Sequence, residues 1–303
     1  MTRLPILLIA NPAAGRGRGA RQLDAACAAL EAVASVKVRR TRTPGEEKRF
    51  AHEAATEGVP MVAVLGGDGT WGNAAHGILT ATARDSARDR PRLLLLSAGT
   101  GNDFATTLGA PAHDYPAMAA LAAQGAEQAV DVGVVDGRHF LNCLGFGFDA
   151  AVVDRARGVP WLRGHAVYLA TAAALLLRYP GLDVGDGDAP PRRRLMYTFA
   201  NGRRVGGGFP IAPRASISDG LLDRIVITDS SLTGRIRLLA KARAGRHEGE
   251  PEIEMDCGDR WTLRFAAPPT YQVDGEFEQS TRREVEVRCI PGALRVVAPA
   301  VER

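Results

Sequence analysis

The chain has 303 residues, 46% hydrophobic and 24% charged, and a formal net charge of +4. A length of this order suggests roughly two domains, the composition is ordinary for a globular protein, and the small net charge does not indicate a general nucleic-acid binder. The lysines are Lys37, Lys48 and Lys241, none preceded by glycine, which excludes the Walker A nucleotide binders, and no H-R-D occurs, which excludes the protein-kinase signature.

In chain order, Pro5–Ala10, Val36–Arg40, Met61–Leu65 and Leu93–Leu96 read as strands, and Arg21–Val33, Glu46–Glu57 and Gly72–Arg84 as helices. This alternation predicts a parallel sheet with helices on both faces. Strands buried on both sides are continuously apolar, as Leu93–Leu96 is. The first apolar run, Leu4–Ala10, is at the lower length limit of a signal-peptide core, and a buried strand explains it better. Three of the strands end in Gly-rich loops: residues 11–19 (NPAAGRGRG), 66–70 (GGDGT) and 97–105 (SAGTGNDFA). Open α/β sheets bind ligands at the carboxyl ends of their strands, so these loops are expected to converge on one site. Exposed amides there and at the following helix N-termini favour phosphate. Residues 1–50 hold ten Lys/Arg and four Asp/Glu, a locally positive region that suits phosphates or an anionic surface, or simply a solvated basic face.

After Val130 the pattern changes. A helix is expected near Pro160–Tyr179, and within it Ala166–Leu177 is near-apolar over 12 residues, too few for a bilayer, which takes about 20. Residues 194–202, 221–228, 260–265, 271–278 and 284–290 alternate with the strand period, which predicts an antiparallel β domain. Asp183–Arg194, polar and rich in Pro and Gly, reads as an exposed hairpin tip or loop. Cys27, Cys143, Cys257 and Cys289 are widely spaced with no C-x-x-C, so no zinc site is expected and the thiols are expected to be reduced and mostly buried.

Gly67-x-Gly69-x-x-Gly72 fits the dinucleotide fingerprint. That reading needs an acid at the end of the next strand, about 20 residues on. The candidates Asp85 and Asp89 precede the next strand instead, and Gly66 is left unexplained.

Taken together, NPAAG, GGDGT and GTGNDFA resemble, in order and context, the diacylglycerol-kinase catalytic family, which includes bacterial lipid kinases and the sphingosine and ceramide kinases. The resemblance continues through residues 142–150 (NCLGFGFDA), 201–223 (with SDGLLD) and 271–276 (YQVDGE), and so covers nearly the whole chain. GGDGT alone also resembles loops of NAD kinases and phosphofructokinases; the combination of blocks is highly specific. The resemblance implies an α/β nucleotide-binding domain over residues 1–130 and an antiparallel β-sandwich domain over 131–290. It also implies a tail over 291–303 that returns to the first domain, and an active cleft between the domains.

Residue by residue, the resemblance implies that Asp68 is essential for catalysis through Mg²⁺ on the nucleotide phosphates, a hard cation that takes oxygen ligands. Gly66, Gly67, Gly69 and Thr70 would set amides and a hydroxyl against the phosphates. Asn11, Pro12, Ala13, Ala14, Gly15, Thr41 and Thr100 would complete the ATP pocket. Glu276 would be the general base that accepts the proton of the lipid hydroxyl, on a backbone that D-G between alternating strands marks as a hairpin. Ser216, Asp219 and Leu221, the last through its carbonyl, would hold a second, structural Mg²⁺. Asn102 and Asp103 suit a cap of the following helix, and Arg16 and Arg18 suit phosphate or anionic headgroups. One departure stands out: after GGDGT the family carries an apolar residue and Asn-Glu, whereas this chain has Trp71-Gly72-Asn73. Lysines that bind lipid or phosphate in some members have few counterparts, and arginine replaces their charge but not their geometry.

The implied activity is ATP-dependent transfer of the γ-phosphoryl group to a hydroxyl of a diacylglycerol-like lipid. The implied partners are ATP and a lipid met by a cytoplasmic chain peripherally associated with the membrane, with no nucleic acid; a homodimer is left open. The alternative acceptors are a sphingoid base or another lipid alcohol. An NAD kinase shares GGDG but not the SDGLLD and GTGNDFA blocks. A non-catalytic nucleotide or lipid sensor is countered by the presence of both Asp68 and Glu276.

Overall fold

A computed structural model describes residues 3–81, 89–157 and 165–300, apart from the side chains of 157 and 165–169. Asp85, Arg84 and the expected start of a helix at Pro160 lie outside the described residues. The chain divides into two compact units, Met1–Val132 with Pro291–Arg303, and Gly133–Ile290.

In chain order the first unit holds β1 (Leu4–Ala10), α1 (Ala14–Glu31), β2 (Ala34–Arg40), α2 (Glu46–Glu57), β3 (Met61–Gly66), α3 (Asp68–Leu79), β4 (Arg92–Ser97), α4 (Asp103–Thr107), α5 (Tyr115–Gln124) and the start of β5 (Gln128–Val135). The first four strands are parallel, in the order β4-β3-β1-β2. Their side chains alternate between two covered faces, as the two-residue period requires. Leu8, Ala63, Leu65, Leu94 and Leu96 pack with Leu23, Ala26 and Leu30 of α1 and Met118 and Ala122 of α5. On the other helices, Phe50, Ala51, Ala54 and Ala55 of α2 and Trp71, Ala74, Ala75 and Ile78 of α3 are buried, and these two helices contact each other, β1 and β3. The indole Nε1 of Trp71 donates to the Val64 carbonyl at 3.1 Å, which meets the one polar need of that buried ring. At the β2 edge, the guanidinium groups of Arg39 and Arg49 both lie over the Phe50 ring and both pair with Glu53.

The second unit holds the end of β5, β6 (Arg138–Phe140), β7 (Cys143–Gly147), α6 (Phe148–Arg157), α7 (His165–Leu176), β8 (Leu182–Asp186), β9 (Arg192–Ala200), β10 (Leu222–Thr228), α8 (Leu232–Arg243), β11 (Ile253–Gly258), β12 (Arg260–Phe265), β13 (Thr270–Val273), β14 (Glu276–Gln279) and most of β15 (Glu284–Val296). Its strands pair antiparallel, β14-β13-β7-β9-β8-β12-β15, with β10 between β9 and β11. Alternation in β10 sends Val226 to a core with Phe146, Phe199, Leu263 and Val285. Ile225 and Ile227 go to a second core with Phe148, Val152, Leu176 and Leu238 of the three helices. After the chain re-enters the first unit, Val296 pairs in parallel with Leu93 and the Val297 N–H donates to the Leu93 carbonyl at 2.9 Å.

Four expectations change. The helix expected from Gly72 opens at Asp68. The first helix begins at Ala14 rather than Arg21, through a non-helical kink at Gly15–Gly17. Asp183–Arg194 is a hairpin whose two arms are strand, leaving only residues 187–191 as the tip. Helix α8 is new: Ser231 caps it by accepting the Gly234 N–H at 3.3 Å, and its apolar residues do not share one buried face, since Leu232 and Ile236 are exposed while Leu238 and Ala242 are buried. Among the described residues, no helix is long and apolar enough to cross a membrane.

Candidate active site

In the first unit, the three Gly-rich loops meet. Asn11 links the first to the second: its backbone N–H donates to the Leu65 carbonyl and its Nδ2 to Thr70 Oγ1, each at 3.0 Å, while its Oδ1 accepts the Ala13 N–H at 3.0 Å. The Gly66 carbonyl accepts both Ala98 N–H (2.7 Å) and Gly99 N–H (2.8 Å), which ties the second loop to the third. Gly67 and Gly99 then pass so closely that a Cβ built on Gly99 would stand 2.5 Å from the Gly67 Cα. Gly15, at φ +55°, brings the first loop onto the third, where a Cβ would stand 2.1 Å from the Ala98 carbonyl oxygen. Arg18 Nη1 donates to the Gly99 carbonyl at 3.0 Å, so this arginine braces the loops. Pro12 and Ala14 are half-buried; Ala13, Arg16 and Thr100 are exposed.

Asp68 opens α3 and its carboxylate reaches across to the third loop, where Oδ2 accepts the Asp103 N–H at 3.2 Å and Oδ1 the Phe104 N–H at 3.0 Å. The helix cap expected from Asn102 or Asp103 is therefore supplied by Asp68: Asn102 occupies the cap position without a side-chain cap bond. α3 itself has no side-chain cap, because Gly67 stands at its N-cap. Asn102 Oδ1 is buried with no hydrogen-bond partner among the described residues. An uncapped helix N-terminus and a side-chain-free cradle together fit a polyphosphate; the orphaned Asn102 oxygen, an acceptor, suits a donor rather than a phosphate oxygen. Thr41, at the end of β2, is buried and bonded through N–H and Oγ1 to the Ala10 carbonyl. Its neighbours Arg40 and Arg42, with Arg39, Glu46, Arg49 and Phe50, line an open surface depression of about 340 Å³. Asn73, which stands where the family carries an acid, donates its Nδ2 to Glu47 Oε1 at 2.6 Å, so a carboxylate of α2 lies one bond away.

In the second unit, Glu276 is the first residue of β14, beyond a two-residue turn with Asp274 at φ +49° and Gly275 at φ +85°. Two positive φ values in succession make the hairpin turn whose twist suits its strands. The Asp274 carboxylate is buried and accepts three backbone N–H groups, those of Leu141 and Asn142 at 2.8 Å and Cys143 at 3.0 Å. Burial pushes its pKa up against the pull of these bonds. Elsewhere in this unit, Asp219 Oδ1 accepts the Leu221 N–H at 3.1 Å and Ser216 Oγ the Ser218 N–H at 3.4 Å. Nearby Asp223 is pushed up to about 6 by burial, then by the charges of Asp219 and Glu248. Among the described residues no three His, Cys, Asp or Glu side chains are grouped to hold a metal. The expected set has one carboxylate, completed by a hydroxyl and a carbonyl, all hard oxygen donors that suit Mg²⁺. Sequence reasoning named neither Asp274 nor Gln272, both buried, nor Asp149, which is half-buried.

The model of the diacylglycerol kinase catalytic domain matches residues 5–135, and that of the YegS C-terminal NAD kinase beta sandwich-like domain matches 142–298. A protein of Pseudomonas aeruginosa (strain UCBPP-PA14) described as a probable lipid kinase YegS-like is 31% identical over 309 residues, 99% of this chain and 96% of its own. One of Stenotrophomonas maltophilia (strain K279a), described in the same words, is 31% identical over 88% of this chain and 87% of its own. A crystal structure of a diacylglycerol kinase from Bacillus anthracis str. Sterne superposes with a TM-score of 0.77 at 23% identity, over 99% of this chain and 98% of that one, a likeness of fold. Matched from its first strand to its last, this chain belongs to the diacylglycerol kinase family, among the YegS-like lipid kinases.

Proposed function

We propose that the protein transfers the γ-phosphoryl group of ATP to a hydroxyl of a diacylglycerol-like lipid, which it meets by peripheral contact at a membrane surface. The observation that carries the nucleotide half is the convergence of the three loops around Gly67, Gly99 and Asp68. Amides of Gly67, Gly69 and Thr70, with Asn11–Gly15, Gly66, Thr41 and Thr100, would hold the phosphates and the rest of the nucleotide. Mg²⁺, held by Asp68 and phosphate oxygens, would supply charge neutralisation during transfer. A carboxylate offers about four acceptor positions, so the two amides it already accepts are compatible with that role. A second Mg²⁺ at Ser216, Asp219 and Leu221 would brace the second unit.

Glu276 would accept the proton of the acceptor hydroxyl. Its exposure, on a turn whose other polar groups are tied down, supports that assignment: the carboxylate is reachable while its backbone is fixed. Incubation with radiolabelled ATP and a total lipid extract tests the reading. Label is expected in a phosphorylated diacylglycerol. Label in a sphingoid base or another lipid alcohol would move the acceptor class, label in NAD would replace the reading, and no labelled product under conditions that preserve fold and nucleotide binding would overturn it.

A further inference from the structure

The hairpin that presents Glu276 is held by a buried amide. Gln272, 2% exposed, lies in β13. Its Oε1 accepts the Gly275 N–H at 2.8 Å, and its Nε2 donates to Asp149 Oδ2 at 2.8 Å and lies 3.3 Å from Cys143 Sγ. Asp149 belongs to the first turn of α6 and is so closely packed that a Cβ on Gly145 would stand 1.9 Å from its Oδ2. All these residues belong to the second unit. A buried primary amide costs free energy unless its polar atoms are bonded, and here both ends are.

Gly275 is the weak point of the turn. It has the widest backbone freedom of any residue type, and a Cβ built on it meets nothing within 4 Å, so no packing holds it. Asp274 secures one side of the turn through the amides of residues 141–143 and through its own N–H, which donates to the Cys143 carbonyl at 2.9 Å. Gln272 secures the other. Without it, Gly275 can rotate and carry the adjoining Glu276 with it.

We infer that Gln272 is a positioning residue: by tying the Gly275 amide to Asp149 on α6, it sets the direction in which Glu276 offers its carboxylate to the acceptor hydroxyl. This rests on the reading of Glu276 as proton acceptor, and the test separates the two. kcat, KM for ATP and thermal midpoint are measured for Q272M, Q272E, D149N, D149N/Q272E, E276Q and Q272M/E276Q. Q272M preserves volume but removes both bonds. We expect kcat to fall about tenfold to a hundredfold, the scale of a small misplacement of a reacting group, with KM for ATP and the midpoint little changed. Q272E sets two carboxyls against each other and should also fall. In D149N/Q272E the amide now at 149 can donate to the carboxylate now at 272, and kcat should recover above Q272E. In the E276Q background, Q272M should cost nothing more.

Wild-type kcat in Q272M, alongside a severe loss in E276Q, would overturn the positioning role and leave the proton acceptor standing. So would a full additional loss in Q272M/E276Q. Wild-type turnover in E276Q would overturn the proton-acceptor reading itself, and this inference with it. Should Q272M fail to fold, the comparison of Q272E with D149N/Q272E decides: recovery supports the inference and continued loss overturns it.

Discussion

The carboxylate of Asp68 accepts the backbone N–H groups of Asp103 and Phe104, at 3.2 and 3.0 Å, so the aspartate of the second loop caps the short helix that follows the third. The expected catalytic acid is therefore also a structural clasp, and its substitutions should separate the two tasks. D68N keeps one carbonyl acceptor and loses the charge. We expect kcat to drop at least a hundredfold, comparable with removal of one preorganised electrostatic group, with a small change in urea midpoint. D68A should lose kcat equally and also about 1 kcal/mol of stability, the usual worth of a cap.

G99A should strike the nucleotide end. The new Cβ would meet the Gly67 Cα at 2.5 Å, a backbone atom that cannot swing aside as a flexible side chain could, so the loops must part. KM for ATP should rise at least about tenfold, the effect of roughly 1.4 kcal/mol of lost binding, and calorimetric titration with a non-hydrolysable ATP analogue should show the same weakening.

E276Q should leave nucleotide affinity near wild type while kcat falls about 10²- to 10⁴-fold, the usual worth of a general base. Full activity in this variant would remove Glu276 from the chemistry.

Asp149 makes a pH prediction. Burial raises its carboxyl pKa, and the Gln272 amide only partly counters this. The folded state therefore holds this proton more tightly than the unfolded state does. The associated stability is fully present below the ordinary carboxylate range and is lost as pH rises through the raised value. The amide of D149N carries no such titration. As pH rises from the ordinary carboxylate range toward neutrality, the thermal midpoint of the wild type should fall further than that of D149N; equal slopes across that whole range would mean that this carboxyl titrates alike in both states.

If Ser216, Asp219 and Leu221 hold Mg²⁺ as proposed, Mg²⁺ should raise the thermal midpoint, because a ligand that binds the folded state stabilises it by mass action. The rise should vanish in D219A and in the presence of excess EDTA. A rise that persists in D219A would place the stabilising ion elsewhere.

How much of this was legible follows physical range. The parallel strands stood out because burial on both faces makes them uniformly apolar, and α2 matched its expected limits at Glu46 and Glu57, where Gly58 stops it in the left-handed conformation. The convergence of three glycine loops followed from strand–helix alternation, which sets the carboxyl ends of parallel strands on one edge of the sheet. The partners of Asp68 did not, because they lie 35 and 36 positions away and depend on how the third loop folds back. The partnership of Gln272 with Asp149 spans 123 positions; a glutamine in an alternating segment carries no mark of its being inside. Helix α8 escaped because its apolar residues point both ways, Leu232 and Ile236 outward and Leu238 and Ala242 inward, so no single stripe marks it.

Among the described residues, the sheet of the first unit ends at β2, with no strand beside its outer edge. Lys37 and Arg40 are exposed along it, with Arg39 between them over Phe50. Two copies meeting edge to edge would set these cations against one another, so the strand polymerisation that an open, untwisted edge invites is opposed by electrostatic repulsion. The same charges that make residues 1–50 basic would thus oppose self-association along this strand, and that effect should weaken as added salt screens them.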